Sequence, residues 1–412
     1  MLLKGEVTEM ASVRSKSFRD LKGVLSKALA SGTTELPYAV KERAVSICAC
    51  YLGGAWKTVS VEDAQISRVN GGMSNLLFLC QLPVYVSPSG NEPSRTLLRI
   101  YFNPESETKL VTECVIFTLL SERQLGPKLY GVFSGGRLEE YIRSRPLLCP
   151  ELQQPNISYR IAQKMARIHC LSVPVSKEPN YVAEALQRWI KHLKEETKRF
   201  PEFSLDVDGQ TVEVNEQCIM SELELVRQFM NSTDSPVVFC HNDLHQGNIL
   251  LPEESQARCK DVVFIDFEYS GYNYRAFDIA NHFNEWMFDY AVSTPPGFVV
   301  SSDHFPSESS QKLFFSGYLK ELQRPVNGDT LQALYTEVAS FVPLTNFFWG
   351  VWALLQFEVS PVDFGFWDFA KVRLQLYFKN RQTISAYLKD TYKLGVDEPG
   401  VHCLIEPDPI AT

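Results

Sequence analysis

The sequence predicts an α+β protein with a strand-rich first part and a mostly helical remainder. Three observations carry this. Before residue 145 the apolar runs are short, of strand length, and separated by glycine turns. After it, segments with apolar residues three and four apart dominate. The chain has 412 residues, more than one ordinary hydrophobic core organises. We therefore divide it into a weakly ordered tail (1–36), a strand-rich lobe (37–145) and a helical lobe (146–412).

The elements follow in order. A short helix over Phe18–Leu29 is possible in the tail, and Val40–Tyr51 has helical spacing and stops at Gly53-Gly54. Ile66–Val69 and Leu76–Leu82 read as strands around the glycine loop 70–75, and Thr96–Tyr101 as a third. Glu107–Gln124 reads as a helix ended by Gly126-Pro127, followed by strands at Leu129–Phe133 and Arg137–Ile142. Helical periods then cover Ile157–Leu171, Ala183–Phe200 and Asn215–Met230. Two short strands, Val237–Cys240 and Val262–Asp266, bracket the polar stretch His241–Asn248. Residues 293–311, rich in Ser and Pro, read as a surface loop, and aromatic-rich helices are expected beyond them.

Composition narrows the function classes. Hydrophobic residues make up 45% and charged residues 22%, which suits a soluble globular chain and excludes disorder throughout. The net charge of −9 argues against nucleic acid as a partner. Ten scattered cysteines without a C-x-x-C pair suit reduced thiols in the cytoplasm. No apolar signal core opens the chain, and the most apolar run, Phe347–Phe357, is too short to span a bilayer, so no transmembrane segment is expected.

The segment with the most chemistry is His241-Asn-Asp-Leu-His-Gln-Gly-Asn248. It contains H-x-D-x-x-x-x-N, and Asp266-Phe-Glu268 follows 18 residues after Asn248. This spacing parallels the catalytic loop and metal-binding triplet of kinases. Phosphoryl transfer needs a carboxylate near the attacking hydroxyl, which Asp243 supplies. It also needs hard oxygen ligands for Mg²⁺, which Asn248 and Asp266 offer and Glu268 extends. His241 reads as a packed loop anchor; His245 faces either substrate or solvent. Gly71-Gly72-Met73-Ser74-Asn75 can approach a phosphate closely, although two glycines between strands also make an ordinary hairpin. Arg99 on a strand and Glu113 on the next helix suit a cation–carboxylate pair that holds phosphates; a plain salt bridge is the alternative.

Aromatic residues are concentrated: ten of the 27 residues from Phe264 to Tyr290 are Phe, Tyr or Trp. Periodicity alone assigns most of them to the core. Trp349 and Trp352 nevertheless share a helix face, and rings with a carboxylate such as Glu285 suit a quaternary ammonium group, which has no N–H to donate.

These blocks resemble the choline/ethanolamine kinase family, and its choline kinase branch best. The resemblance runs over roughly 40–380 and rests on His241–Asn248, on Phe264–Ile279 continuing to Trp286, and on Phe347–Trp352. It implies a bilobal protein-kinase-like fold, related to aminoglycoside phosphotransferases, and ATP- and Mg²⁺-dependent phosphorylation of choline in phosphatidylcholine synthesis. It further implies a cytoplasmic homodimer. By position, Asp243 becomes the catalytic base, with Asn248 and Asp266 metal ligands and Glu268 a further one. Tyr269, Glu285, Tyr290, Trp349, Trp352 and Phe364 match the choline pocket. The nucleotide positions are Gly72, Met73, Ser74, Asn75, Arg99 and Glu113, with adenine against Glu140 and Ile142. Asp278 matches a residue that braces the catalytic loop. Two positions depart from the family pattern: His245 stands where Gln is common, and Phe369 where Tyr is common. With the resemblance, the ring cluster favours a binding role over packing alone. The alternatives are an ethanolamine or dual-specificity kinase, and a nucleotide-binding pseudokinase scaffold, against which the presence of Asp243, Asn248 and Asp266 argues.

Overall fold

In a computed structural model, the structure describes residues 36–69, 75–101, 107–133, 135–196, 200–253, 261–360 and 362–393. The expected tail helix and the loop positions Gly72, Met73 and Ser74 lie outside them. The chain divides into two compact units, 1–143 and 144–412.

The first unit is built on a five-stranded antiparallel sheet. Helix α1 (Tyr38–Leu52) precedes strands β1 (Gln65–Val69), β2 (Asn75–Gln81) and β3 (Arg95–Tyr101). Helix α2 (Glu107–Glu122) leads to β4 (Leu129–Phe133) and β5 (Gly136–Glu140), and the strand order is β1-β2-β3-β5-β4. Alternation decides which side chains meet. Leu76, Phe78 and Cys80 on β2 and Leu98 and Ile100 on β3 lie on one face, where Val40, Ala44, Ile47 and Cys48 of α1 and the fully buried Trp56 cover them. The residues between them, Arg99 and Tyr101 on β3, share the other face with Arg137 and Glu139 on β5, because Arg99 pairs across with Arg137 and Leu97 with Glu139. Gly136 is required here: a Cβ would stand 2.2 Å from the Arg99 carbonyl oxygen. The strand expected to reach Ile142 ends at Glu140.

The second unit is mainly helical. It opens with β6 (Ser144–Pro146), the single turn α3 (Cys149–Leu152) and α4 (Pro155–His169), which starts on proline, whose missing N–H costs nothing at that position. Helix α5 (Tyr181–Glu196) is followed by a hairpin, β7 (Phe203–Val207) and β8 (Gln210–Val214), that the sequence reading passed over. Its turn is Asp208-Gly209, both with positive φ, the pattern of a tight hairpin. Helix α6 (Glu216–Ser232) is capped by Asn215. Strands β9 (Val237–Cys240) and β12 (Gly271–Tyr274) pair, and β10 (Ile249–Pro252) sits between β6 and β11 (Val263–Phe264). Helix α7 (Arg275–Glu285) comes next. The Ser/Pro-rich stretch then contains more order than expected: β13 (Phe288–Asp289) pairs with β14 (Val299–Val300), and α8 (Glu308–Glu321) begins inside it at a Ser307 cap.

The central element is α9 (Gly328–Val359), 32 residues long and packed by α5, α7 and α10 (Phe366–Asn380); α11 (Gln382–Lys393) follows. This corrects the expected length of the apolar run. Among the described residues α9 is long and apolar enough to cross a membrane, but 83% of its most apolar window is buried inside the protein, as befits a core helix.

Candidate active site

Two loops are tied to each other in the second unit. The first, His241–Asn248, leaves β9; the second, Ile265–Ser270, joins β11 to β12. The His241 ring donates from Nε2 to the Ile265 carbonyl at 2.9 Å, and its Nδ1 accepts the Asp243 N–H at 3.3 Å. That pattern fixes one neutral tautomer, and burial holds the ring below the usual histidine pKa. Asn242 Nδ2 donates to the Tyr269 carbonyl at 2.9 Å, and the Ile265 N–H to the Asn248 carbonyl at 3.0 Å. Asp266 and Glu268 are thus held on the stretch between two pinned residues.

A buried carboxylate anchors the first loop from behind. Asp278, at the start of α7, accepts the N–H groups of His241 (2.8 Å) and Asn242 (2.7 Å) and Nε2–H of His169 (3.0 Å). Burial alone would raise its pKa; these donors, His169 first, reverse that and hold it below the ordinary carboxylate range. His169 in turn accepts at Nδ1 from the Tyr318 hydroxyl, 2.8 Å away. The anchoring lets Asn242 keep a left-handed backbone (φ 67), with Asp266 likewise at φ 63. Non-glycine residues hold that conformation at a cost, and it recurs where function demands it.

Asn248 donates Nδ2–H to the Asp243 carbonyl (2.9 Å) and carboxylate (3.3 Å). Its amide nitrogen is therefore committed, and the amide oxygen is the end left for a cation. Burial pushes the Asp243 carboxyl well above its ordinary pKa, and the charges of Glu285, Asp266 and Glu268 push it further. Four carboxylates close enough to feel one another, offset only in part by Arg373, make a site suited to cations. Hard oxygens from Asn248, Asp266 and Glu268 fit Mg²⁺ in donor type.

The rings meet in one continuous series. Tyr269 stands edge-on to Trp349 (5.4 Å between centroids), Trp349 to Trp352 (5.4 Å), and Trp352 to Phe366 (5.7 Å). Phe366 contacts Phe364 (4.9 Å), which reaches Tyr290 (6.5 Å). Trp349 is fixed by its Nε1–H to Asn281 Oδ1 at 2.7 Å. Tyr290 donates to Glu285 Oε2 at 2.9 Å and lies 5.7 Å from the His245 ring, whose Nε2 is 3.9 Å from Asp243. The structure thus gathers Asp243, Asn248, Tyr269, Glu285, Tyr290, Trp349, Trp352 and Phe364 around one centre.

One expectation needs correction. Glu113 is not the partner of Arg99. Glu139 holds Arg99 (3.3 Å) and Arg137 (2.8 Å), and Arg137 reaches Glu113 (2.6 Å). The register that sets Arg99 opposite Arg137 makes Glu139 the diagonal neighbour of Arg99. Glu285 lies in the ring cluster and is in addition buried in an ion pair with Arg373, a residue absent from the expected site. A signal existed. On α10 the buried positions are Phe366, Phe369, Ala370, Arg373, Leu374 and Tyr377, so Arg373 falls on an apolar stripe and needs an acid inside. On the first unit, Asn75 opens β2, and the Glu140 carboxylate accepts the Lys128 N–H at 3.0 Å, while Ile142 lies just past β5 and is half-buried.

Comparison with known proteins agrees with this geometry. The profile of the choline/ethanolamine kinase family matches residues 66–378. Choline kinase A2 of Caenorhabditis elegans is 46% identical over 402 residues, covering 91% of this chain and 94% of that protein. A choline/ethanolamine kinase of Homo sapiens is 40% identical, covering 84% and 87%. The crystal structure of a choline kinase from Cryptosporidium parvum shares the fold, with a TM-score of 0.70 at 23% identity over 86% of this chain and 98% of that one.

Proposed function

The chain belongs to the choline/ethanolamine kinase family, and from that premise we propose that it is an ATP-dependent choline kinase, transferring the γ-phosphoryl of MgATP to the choline hydroxyl. The observation that carries this is the ring series from Tyr269 to Tyr290 beside Asp243. It supplies faces for a quaternary ammonium next to a carboxylate placed to meet a hydroxyl.

Asn248 Oδ1, Asp266 and Glu268 would hold Mg²⁺, which would supply positive charge to offset that of the phosphates. Asp243 accepts a hydrogen bond from the choline hydroxyl and aligns it. As the new O–P bond forms and the bond to the ADP oxygen breaks, the hydroxyl proton passes to the Asp243 carboxylate. In a loose transition state the nucleophile loses its proton late, so orientation matters more than basicity. Nucleotide contacts are assigned to the first unit: the loop Gly72–Asn75, Arg99, and the backbone at Glu140 and Ile142. Glu113 acts there through Arg137. A cytoplasmic homodimer serving phosphatidylcholine synthesis completes the reading, and the eight described cysteines are all free, as a reducing compartment favours.

The test is phosphoryl transfer from MgATP by purified protein with choline and ethanolamine as separate acceptors. A higher kcat/KM for choline is expected. Preference for ethanolamine would leave Asp243 and Asp266 in their roles and return the tryptophans to packing. Transfer to neither would favour the scaffold alternative.

A further inference from the structure

Glu285 is the acid that would be expected to face the cationic end of the acceptor, yet each of its oxygens already holds a donor from the protein. Oε1 is held by Arg373 Nη2, and Oε2 accepts the Tyr290 hydroxyl at 2.9 Å. Arg373 Nη2 also donates to the Tyr290 oxygen (3.3 Å), so the three side chains close a triangle. The guanidinium is locked further by Nη1 on Asn346 Oδ1 (3.2 Å) and by the faces of Phe288 (3.7 Å) and Phe369 (4.8 Å). Glu285 is 3% exposed and Arg373 1%. The triangle borders the reacting centre, because Tyr290 belongs to the ring series and lies against His245 beside Asp243.

Chemistry separates the two acceptor classes here. A quaternary ammonium needs ring faces and a diffuse negative potential, and no acceptor atom. A primary ammonium carries three N–H donors that must be matched when it leaves water. We propose that Arg373 is a specificity-determining residue that disfavours primary amino alcohols by occupying the Glu285 carboxylate they would otherwise bond. The assignment rests on the reading of the protein as an amino-alcohol kinase. Arg373 acts through Glu285 and Tyr290, so it is a positioning residue.

The experiment measures kcat/KM for choline and for ethanolamine in the wild-type protein, Arg373→Met and Arg373→Lys. In Arg373→Met the ethanolamine-to-choline ratio should rise ~10-fold, mainly through a lower ethanolamine KM, on the scale of one freed acceptor. In Arg373→Lys the rise should be smaller, roughly 3-fold, since a lysine ammonium keeps a cation for Glu285 but lacks the fork whose two nitrogens hold Glu285 and Tyr290 on one side and Asn346 on the other. A merely structural role would lower both substrates alike and leave the ratio where it was. An unchanged or lowered ratio overturns the proposal. If Arg373→Met fails to fold, with Glu285 left buried and unpaired, the Lys variant decides. Failure of both to fold would reduce Arg373 to a structural residue. Transfer to neither acceptor by the wild-type protein would instead overturn the kinase reading, and this assignment with it.

Discussion

Replacing Asp243 by Asn preserves the shape of the side chain and its place beside Asn248, but removes the carboxylate proposed to take the proton. We expect kcat to fall by ~10²-fold or more while choline KM changes little, the scale of a lost acid–base group. Near-normal steady-state turnover would remove Asp243 from that role. Trp349 makes a different prediction. Its indole N–H is spent on Asn281 at 2.7 Å, so only the ring is left for the substrate. Trp349→Phe keeps a π face and should raise choline KM modestly. Trp349→Ala should raise it ~10-fold or more and affect ethanolamine less, since a contact of this kind is worth about 0.5–2 kcal/mol. Equal effects on both acceptors in parallel KM measurements would count against the ring role. At this scale the motif residues were legible, because H-x-D-x-x-x-x-N and the later Asp-Phe-Glu are local patterns. Arg373 was harder to see: its place on an apolar stripe says that it needs an acid, but not that the acid is Glu285, 88 residues away.

Elements show how much a period says and where it stops. The period of two on β2, β3 and β5 sorts Leu76, Phe78, Leu98 and Leu138 to one face and Arg99, Arg137 and Glu139 to the other. The strands were predictable from their short apolar runs and the glycine turns between them. Their order was not, and the order decides that Arg99 meets Glu139. The helix α6 offers a test of local coding. Asn215 Oδ1 accepts the Cys218 N–H at 2.9 Å, satisfying one of the free donors of the first turn. Asn215→Ala should cost about 1 kcal/mol and lower the thermal midpoint by roughly 2–4 °C. Asn215→Asp should keep the cap. Calorimetry on both variants checks this, and an unchanged midpoint for Ala would show the cap is dispensable. The hairpin β7–β8 was legible at its Asp208-Gly209 turn and in the alternation of Phe203, Leu205 and Val207 with polar residues, a pattern spread over only five residues a strand.

For the molecule as a whole, the buried histidines link stability to pH. His282 donates Nδ1–H to the Leu244 carbonyl (3.0 Å) and accepts Trp286 Nε1–H (3.3 Å), so it is neutral when folded. Burial pushes it down to about 4. An unfolded histidine titrates near ~6.5, so between those values the unfolded state binds more protons. The contribution is therefore complete above about pH 6.5 and is lost as pH falls toward 4, by up to about 3 kcal/mol. His241, held low by burial, adds in the same direction. Urea unfolding midpoints should decline from pH 7 to pH 5. His282→Gln, which removes the titrating ring, should flatten that decline. A slope unaffected by the substitution would place the dependence elsewhere.

The sequence by itself determined most of the elements and the chemistry to expect: apolar runs, helical period and a dense kinase-like motif act over a few residues, and side-chain type dictates what they can do. Tertiary structure decided the pairings. Two loops became one centre because His241 and Asn242 bond to Ile265 and Tyr269, and because Asp278 fixes the first loop from within α7. Glu139 rather than Glu113 took Arg99, and Arg373 took Glu285, because a buried charge goes to the opposite charge that packing brings nearest. Sequence distance carries no information about which charge that is.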